Sequence, residues 1–282
     1  MSTPDSMTRT GISDAEFFRL RDFIHKQCGI NLSVSKKILM ESRLHKRLSA
    51  LKLDTYTAYC NYVMSPAGLD SELVHMIDCI ATNKTDFYRE PGHFQFMTDV
   101  VIPEWLNAKV PHKPFKVWSS ACSSGEEPYT IAMVLQDLAV RHGFDYRILA
   151  TDISTKIVQQ AIEAVYPESA AIPIPIEVKK RYLLRSKVTT PPTVRIVPQL
   201  RAKVQFRRLN LMDTVLDVDK DFDLVFCRNL LIYFDRATQE RVLQKLASKL
   251  KPGGYLFIGH SESIYAMNLP LQQVRPTVFQ RV

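Results

Sequence analysis

Three short segments of this sequence carry residues suited to holding a charged nucleoside. The first reads Ser119-Ser120-Ala121-Cys122-Ser123-Ser124-Gly125-Glu126-Glu127-Pro128-Tyr129. Small side chains let a ligand lie close to backbone N–H groups, and a helix that follows aims its positive end at the same place. A pyrophosphate would suit that setting, but Glu126 and Glu127 would repel it and attract a cation. A nucleoside carrying a sulfonium and an α-amino group, as S-adenosylmethionine does, suits the charge better. The second is Asp152, at the end of an expected strand, where a carboxylate can accept both ribose hydroxyls. The third is Cys227-Arg228-Asn229, followed by Ile232-Tyr233-Phe234. Alone, an acidic strand end is often a helix cap, and Gly125 is not part of a GxGxxG pattern. Occurring in order after successive strands, the three define a cofactor site at the carboxyl edge of an α/β sheet.

The elements that must position these segments follow from periodicity. Ser13 with Glu16 three residues on is a capping box, and Phe17, Leu20, Phe23 and Ile24 keep helical spacing behind it. Further helices are expected over 35–51, with Leu44, Leu48 and Leu51 on one stripe, and over 55–64 and 69–81. Residues 1–80 therefore read as an all-helical domain, with residues 1–10 polar and frayed at its start. Residues 81–114 read as a linker and helix contributing to the cofactor site. From 115 the pattern alternates: strands at 115–119, 146–151, 204–209, 223–227 and 255–259, with helices at about 126–142, 154–165 and 236–250. Pro252-Gly253-Gly254 reads as a turn before the fifth strand, Asp235 as the cap of the helix before it, and 271–274 with 277–281 as a closing hairpin. The expected class is α/β: a doubly wound, mostly parallel sheet with an antiparallel last strand. The proline-rich stretch at about 172–203 reads as a small antiparallel β insert in the domain 115–282.

The chain has 282 residues, 46% of them hydrophobic, with a net charge of +8. No apolar run approaches the ~20 residues of a membrane span, and charged residues interrupt the first 30, which points to the cytoplasm and to no membrane insertion. Cys28, Cys60, Cys79, Cys122 and Cys227 form no CxxC pair, and no histidines are spaced HxH or HxxxH, so neither a disulfide framework nor a metal site is expected. The basic residues cluster. Residues 179–208 hold ten Lys or Arg and no acid, and residues 36–52 hold six against Glu41. Two such surfaces suit an acidic partner: nucleic acid, anionic lipid or an acidic protein.

Several longer motifs resemble the CheR-type chemotaxis receptor methyltransferases, from about residue 12 to the end. They are Thr82-Asn83-Lys84-Thr85-Asp86-Phe87-Tyr88-Arg89-Glu90, Trp118-Ser119 with Ser124-Gly125-Glu126-Glu127-Pro128-Tyr129, Asp152-Ile153, Asn210-Leu211, and Phe226-Cys227-Arg228-Asn229 with Ile232-Tyr233-Phe234-Asp235. The resemblance implies a methyltransferase fold that binds S-adenosylmethionine and releases S-adenosylhomocysteine. It implies cofactor contacts from Asn83, Thr85, Arg89, Glu127, Asp152, Asn210, Leu211, Arg228 and Asn229, with Arg89 and Tyr233 near the transferred methyl group. It further implies methylation of glutamate side chains on the cytoplasmic domain of methyl-accepting chemotaxis receptors.

A glutamate with a pKa of ~4.3 is already ionised at neutral pH. Such an enzyme needs no general base; it must desolvate and align a carboxylate, for which an arginine fork is suited. An ion pair of Arg89 with Glu90 or Asp86 is the plainer alternative for that arginine. On the helix at 35–51, Lys36, Arg43 and Arg47 share a face with Lys46 beside them; the resemblance implies that this face meets the receptor's acidic helices. Some relatives bind a receptor C-terminal pentapeptide through a Gly-x-Gly loop in the β insert. The comparable stretch here, 185–192, lacks glycine, which favours a tether-independent enzyme; a monomer is expected. Rival readings are a nucleic-acid methyltransferase, disfavoured by the lack of a base pocket and stacking row, and a non-catalytic module that keeps the cofactor.

Overall fold

A computed structural model describes residues 11–108, 113–188 and 190–282. The frayed start expected at 1–10 lies outside them, as do 109–112 in the expected linker. The chain divides into two compact units at Thr82/Asn83.

In the first unit the capping box forms: Ser13 Oγ accepts from the Glu16 amide, and the Glu16 carboxylate accepts from the Ser13 amide at 2.8 Å. It starts α1 (Asp14–Cys28), which Gly29 ends in the left-handed region at φ 76°, as a helix stop requires. Then come α2 (Lys37–Leu51), α3 (Tyr56–Val63), α4 (Pro66–Ser71) and α5 (Leu73–Ile80). The single helix expected over 69–81 is thus two, separated at Glu72. The buried stripe of α2 is Met40, Leu44 and Leu48; Leu51 is only partly covered. Glu72 is 1% exposed and takes a forked pair from Arg47, at 2.9 and 2.6 Å, with the Tyr59 hydroxyl donating at 2.9 Å. A buried carboxylate requires such partners.

The second unit opens with α6 (Pro91–Phe96), a π-turn (Met97–Val101) and α7 (Ile102–Asn107). It continues with β1 (Phe115–Ser119), α8 (Glu126–His142), β2 (Tyr146–Asp152), α9 (Thr155–Glu163), β3 (Val165–Pro167), α10 (Ile176–Tyr182), β4 (Leu183–Arg185), β5 (Thr193–Ile196), α11 (Pro198–Arg201) and β6 (Val204–Arg208). It closes with β7 (Phe222–Cys227), α12 (Arg236–Lys249), β8 (Leu250–Ile258), β9 (Leu271–Arg275) and β10 (Val278–Arg281). Seven strands form one sheet in the order β6-β2-β1-β7-β8-β10-β9. The first five run parallel, and β10 runs antiparallel to β8. Alternate residues of a strand face opposite ways. Accordingly Phe115, Val117, Leu224 and Phe226 pack into a core with Ile131 and Leu135 of α8, while Trp118, Val225 and Cys227 pack with Leu243 and Leu246 of α12.

A separate antiparallel sheet, β3-β5-β4, is the small insert. It begins earlier than the expected 172, because Val165, the last residue of the expected helix, and Tyr166 after it pair with Arg195 and Val194. Pro252, Gly253 and Gly254 lie within β8, where the pairing to β7 slips between Phe222↔Leu250 and Leu224↔Tyr255. They form a bulge rather than a turn ahead of the strand. Asp235 caps α12 as expected, its Oδ1 accepting from the Thr238 amide at 2.8 Å.

Candidate cofactor site

The carboxyl ends of β1, β2 and β7 lie side by side in the sheet, so the loops after them converge. After β1 the chain turns back: the Ser120 amide bonds to Phe226 O and the Cys122 amide to Thr151 O, both at 2.9 Å. The loop is thereby sewn to the neighbouring strand ends on both sides. Gly125 precedes α8 at φ 100°. A Cβ there would stand 2.8 Å from Tyr166 Oη and 3.0 Å from Ala161 Cβ, so glycine is required both by conformation and by space. Asp152 is 9% exposed and organises the loop: its Oδ2 accepts from the Ser123 amide at 2.9 Å and its Oδ1 from the Ser154 amide at 3.1 Å. The Ser123 hydroxyl donates to Asn83 O at 2.9 Å, which ties the 83–90 segment to the same loop.

Arg228 is the hub. Its side chain is 2% exposed and lies over the rings of Phe94 and Phe226. Nη1 donates to Glu127 Oε2 at 3.0 Å. Nε and Nη2 reach Glu90 Oε2 at 3.3 and 3.1 Å, and Nη2 also donates to Arg89 O. Glu127 Oε1 accepts from Ser119 Oγ at 2.7 Å. Asn229 donates through Nδ2 to Glu90 Oε1 at 3.2 Å. Burial pushes the Glu127 carboxyl above its ordinary value, and Arg228 opposes that only in part. For Glu90 burial also pulls upward, but Arg228, Asn229 and the His260 amide outweigh it and leave the carboxyl lowered. Glu126 is held apart by a 2.7 Å bond from Ser124 Oγ.

The structure thus joins Glu127 and the Arg89 carbonyl to Arg228 directly, Asn229 to them through Glu90, and brings Asn83 and Asp152 together through Ser123. Asn210 and Leu211 follow β6, whose end is pinned to β2 by the Leu209 amide on Asp152 O at 2.9 Å. Leu211 is buried beside Trp118 and Leu149, and Asn210 Oδ1 accepts from the Met212 amide. Thr85 is half-buried in the 83–90 segment. Tyr233 is half-buried at the end of a short 3-10 turn (Leu231–Tyr233), with no side-chain bond to Arg89 among the described residues. The alternative ion pair for Arg89 does not form: Glu90 is taken by Arg228, and Arg89 Nη1 bonds to Lys84 O at 3.1 Å. Lys36, Arg43, Lys46 and Arg47 belong to the helical unit.

Two participants escape a reading of the sequence. Glu90 ends a quoted motif but has no local signal of its role, because its partner is on β7. Glu262, 8% exposed, accepts from the amides of Gly259, Asn229 and Leu231 at 2.6, 3.0 and 2.7 Å. It fixes the loop that carries Asn229 and leads to Tyr233. In sequence it looks like part of a spurious His260-Ser261-Glu262 hydrolase set. Tyr88, Glu90, Ser123 and Asn229, four of the nine non-glycine residues with left-handed backbone among those described, cluster here, at φ 55°, 56°, 48° and 57°, a conformation that costs energy and persists where the surroundings enforce it.

Glu90 and Glu127 set two carboxylates on the one guanidinium of Arg228, and Asp152 adds a third carboxylate on the same β1 loop, through the Ser123 amide. That excess of negative charge fits a cationic nucleoside and not a phosphate. A parallel sheet with an antiparallel penultimate strand, an acidic loop after β1 and an acid ending β2 define an S-adenosylmethionine-dependent methyltransferase.

Residues 83–279 match the family model of the CheR methyltransferase S-adenosylmethionine-binding domain, and 15–81 match that of the CheR methyltransferase all-alpha domain. The chain is 39% identical to a chemotaxis protein methyltransferase of Borreliella burgdorferi, over 96% of this chain and 95% of that one. It is 34% identical to chemotaxis protein methyltransferase 2 of Pseudomonas aeruginosa, over 94% and 92%, and 34% identical to the Escherichia coli chemotaxis protein methyltransferase, over 90% and 86%. The chain belongs to the CheR family of chemotaxis methyltransferases, and its cofactor is S-adenosylmethionine.

Proposed function

We propose that this enzyme methylates glutamate side chains on the cytoplasmic domain of chemotaxis receptors, forming methyl esters. One observation carries the reading. The buried guanidinium, Arg228, is consumed by Glu90 and Glu127, whereas the Arg89 guanidinium has a single hydrogen bond among the described residues, to Lys84 O. Arg89 therefore retains donors for an incoming carboxylate. The cofactor supplies an electrophilic methyl group on a sulfonium. Arg89 holds the glutamate oxygen in line with it by a forked bond, and Tyr233 adds a positioning hydrogen bond. Glu127, Asp152, Asn83, Thr85, Asn210, Leu211, Arg228 and Asn229 bind and orient the cofactor, with Arg89 also touching it. The substrate enters as a carboxylate, so no residue takes a proton, and Arg89 and Tyr233 would hold it aligned for an in-line transfer of the methyl group that bound cofactor would supply.

The test is chemical. Enzyme, radiolabelled S-adenosylmethionine and membranes containing receptors should give labelled receptor that mild alkali releases as methanol. Alkali-stable label, or label on added RNA, would overturn the reading in favour of N-methylation or a nucleic-acid substrate.

The helical unit is the receptor-facing domain in this proposal, with α2 as its contact. Its cations divide into two kinds. Arg47 is committed to Glu72, and Arg43 Nη1 donates to Ile80 O at 2.6 Å and to Ala81 O at 3.3 Å. Lys36 and Lys46 are exposed. Arg47→Ala would strand a buried carboxylate and cost about 3–5 kcal/mol of stability, which would mask any effect on binding. The clean probe is Lys36→Glu with Lys46→Glu. This pair should raise KM for receptor about fivefold to tenfold, as reversal of rim charges does, and leave cofactor affinity unchanged. An unmoved KM would remove α2 from the interface. Among the described residues no helix is long and apolar enough to cross a membrane; we place the enzyme in the cytoplasm as a monomer.

A further inference from the structure

Three metal-ligating groups meet beside the Arg228 network: Glu90 and His93, three residues apart, and His260 from the far end of the chain. His93 is 3% exposed and stacks on Phe257, ring centroids 5.2 Å apart. Its Nε2 lies 2.8 Å from Thr277 Oγ1, and that hydroxyl gives its own proton to Pro276 O at 2.7 Å. The hydroxyl is therefore the acceptor, which assigns the ring proton to Nε2 and a lone pair to Nδ1. Nδ1 is buried and makes no hydrogen bond. It faces Glu90 Oε2 at 3.5 Å, and His260 Nε2 lies 3.9 Å from the same oxygen. All three donor atoms fall within 4.8 Å of one another. Two lone-pair bearers facing each other in a buried space repel unless a cation lies between them.

We propose that Glu90, His93 and His260 form a site for a divalent transition-metal ion of the zinc class, and that its occupancy inhibits the enzyme. Two imidazoles and one carboxylate make a three-ligand zinc set with an open fourth position. Magnesium and calcium prefer oxygen ligands and are not served by it. Zinc bonds of ~2.0–2.1 Å in a tetrahedron place ligand atoms about 3.3–3.4 Å apart, near the His93–Glu90 separation already present. His260 is 59% exposed in its side chain and can rotate inward to complete the set. Glu90 Oε2 is also the acceptor for Arg228, so metal and guanidinium compete for it. A metal would loosen the group that holds Glu127 and the Arg89 carbonyl. Metal and S-adenosylmethionine should then oppose each other, by the same factor in both directions.

The experiment uses the full-length, metal-free protein. Zinc binding is read by competition with a chromophoric chelator, and cobalt loading by visible absorption, for wild type, His260→Ala and His93→Gln. One equivalent of zinc is expected, with at least tenfold weaker binding in His260→Ala. The cobalt spectrum should show tetrahedral bands without thiolate charge transfer. Methyl transfer should fall with zinc, recover with EDTA, and resist zinc in His260→Ala. Equal affinity in wild type and His260→Ala, no stoichiometric zinc, or a thiolate band would overturn the site. Zinc bound without loss of methyl transfer would overturn its inhibitory role. His260 is exposed, so its variant folds even if His93→Gln does not. Binding is read with no substrate present, so its outcome is separate from that of the receptor-glutamate reading.

Discussion

Replacing Arg228 with Ala is expected to destabilise the Asn83–Val282 unit by about 3–5 kcal/mol and to abolish measurable cofactor binding. The magnitude follows from leaving two nearly buried carboxylates without their cation. Glu90 and Glu127 have side chains only 11% exposed. The pH dependence separates this cause from simple loss of packing. In wild type the Glu90 carboxyl is lowered from 4.5. A lowered carboxyl contributes stability that is present above pH 4.5 and lost as pH falls through the folded value. In Arg228→Ala both carboxyls would be raised, so each penalises folding near neutrality and is relieved by protonation. In wild type only Glu127 of the pair is raised, and the lowered Glu90 opposes it, so the variant should gain more stability than wild type as pH falls from about 7 to 5. Urea unfolding across that range, with calorimetry of S-adenosylhomocysteine, measures both effects. A variant with flat, wild-type-like pH dependence would show that the pairing does not carry the energy.

The second large effect is expected at Arg89. Arg89→Lys keeps the charge but loses the planar fork. With no general base to compensate, alignment supplies most of the acceleration in the proposed mechanism. The substitution should lower kcat on the order of 10²-fold, with cofactor affinity changed less than fivefold. The fold should persist, because the side chain has one hydrogen bond, to Lys84 O, and its carbonyl remains for Arg228. Steady-state kinetics with purified receptor fragments, alongside cofactor binding, would test it. A lysine variant with near-normal kcat would move the carboxylate contact elsewhere.

Much of the fold is legible in sequence because its signals are local. Ser13 and Glu16 cap one another within a turn, Gly125 needs a left-handed backbone where α8 begins, and β1, β2 and β7 are apolar runs buried on both faces. The errors share a different cause. Val165 closes a helical pattern in sequence, and Val165–Pro167 becomes a strand only because Arg195, Val194 and Thr193 supply its partners. Gly253 and Gly254 look like a turn until β7 pairs with both ends of β8. The candidate site divides in the same way. Asp152, Glu127 and Arg228 occupy strand ends and a helix start that periodicity locates. Glu90 and Glu262 gain meaning only from amides and a guanidinium on other elements. Arg43 and Arg47 share a helical face in sequence, but α5 supplies the backbone carbonyls of Ile80 and its neighbours, and Glu72 supplies the carboxylate, that engage them.

The four left-handed residues around the site, Tyr88, Glu90, Ser123 and Asn229, bear on how readily this protein could be adapted to heat. Each such conformation stores on the order of 1–3 kcal/mol, and asparagine, at position 229, tolerates it best. Ser123→Gly would return part of that energy as thermal tolerance, yet Ser123 is the residue whose amide meets Asp152 and whose hydroxyl meets Asn83. A lineage or a designer seeking a higher melting temperature would find the readiest gains at the positions where the pocket is shaped, and would trade affinity for durability there.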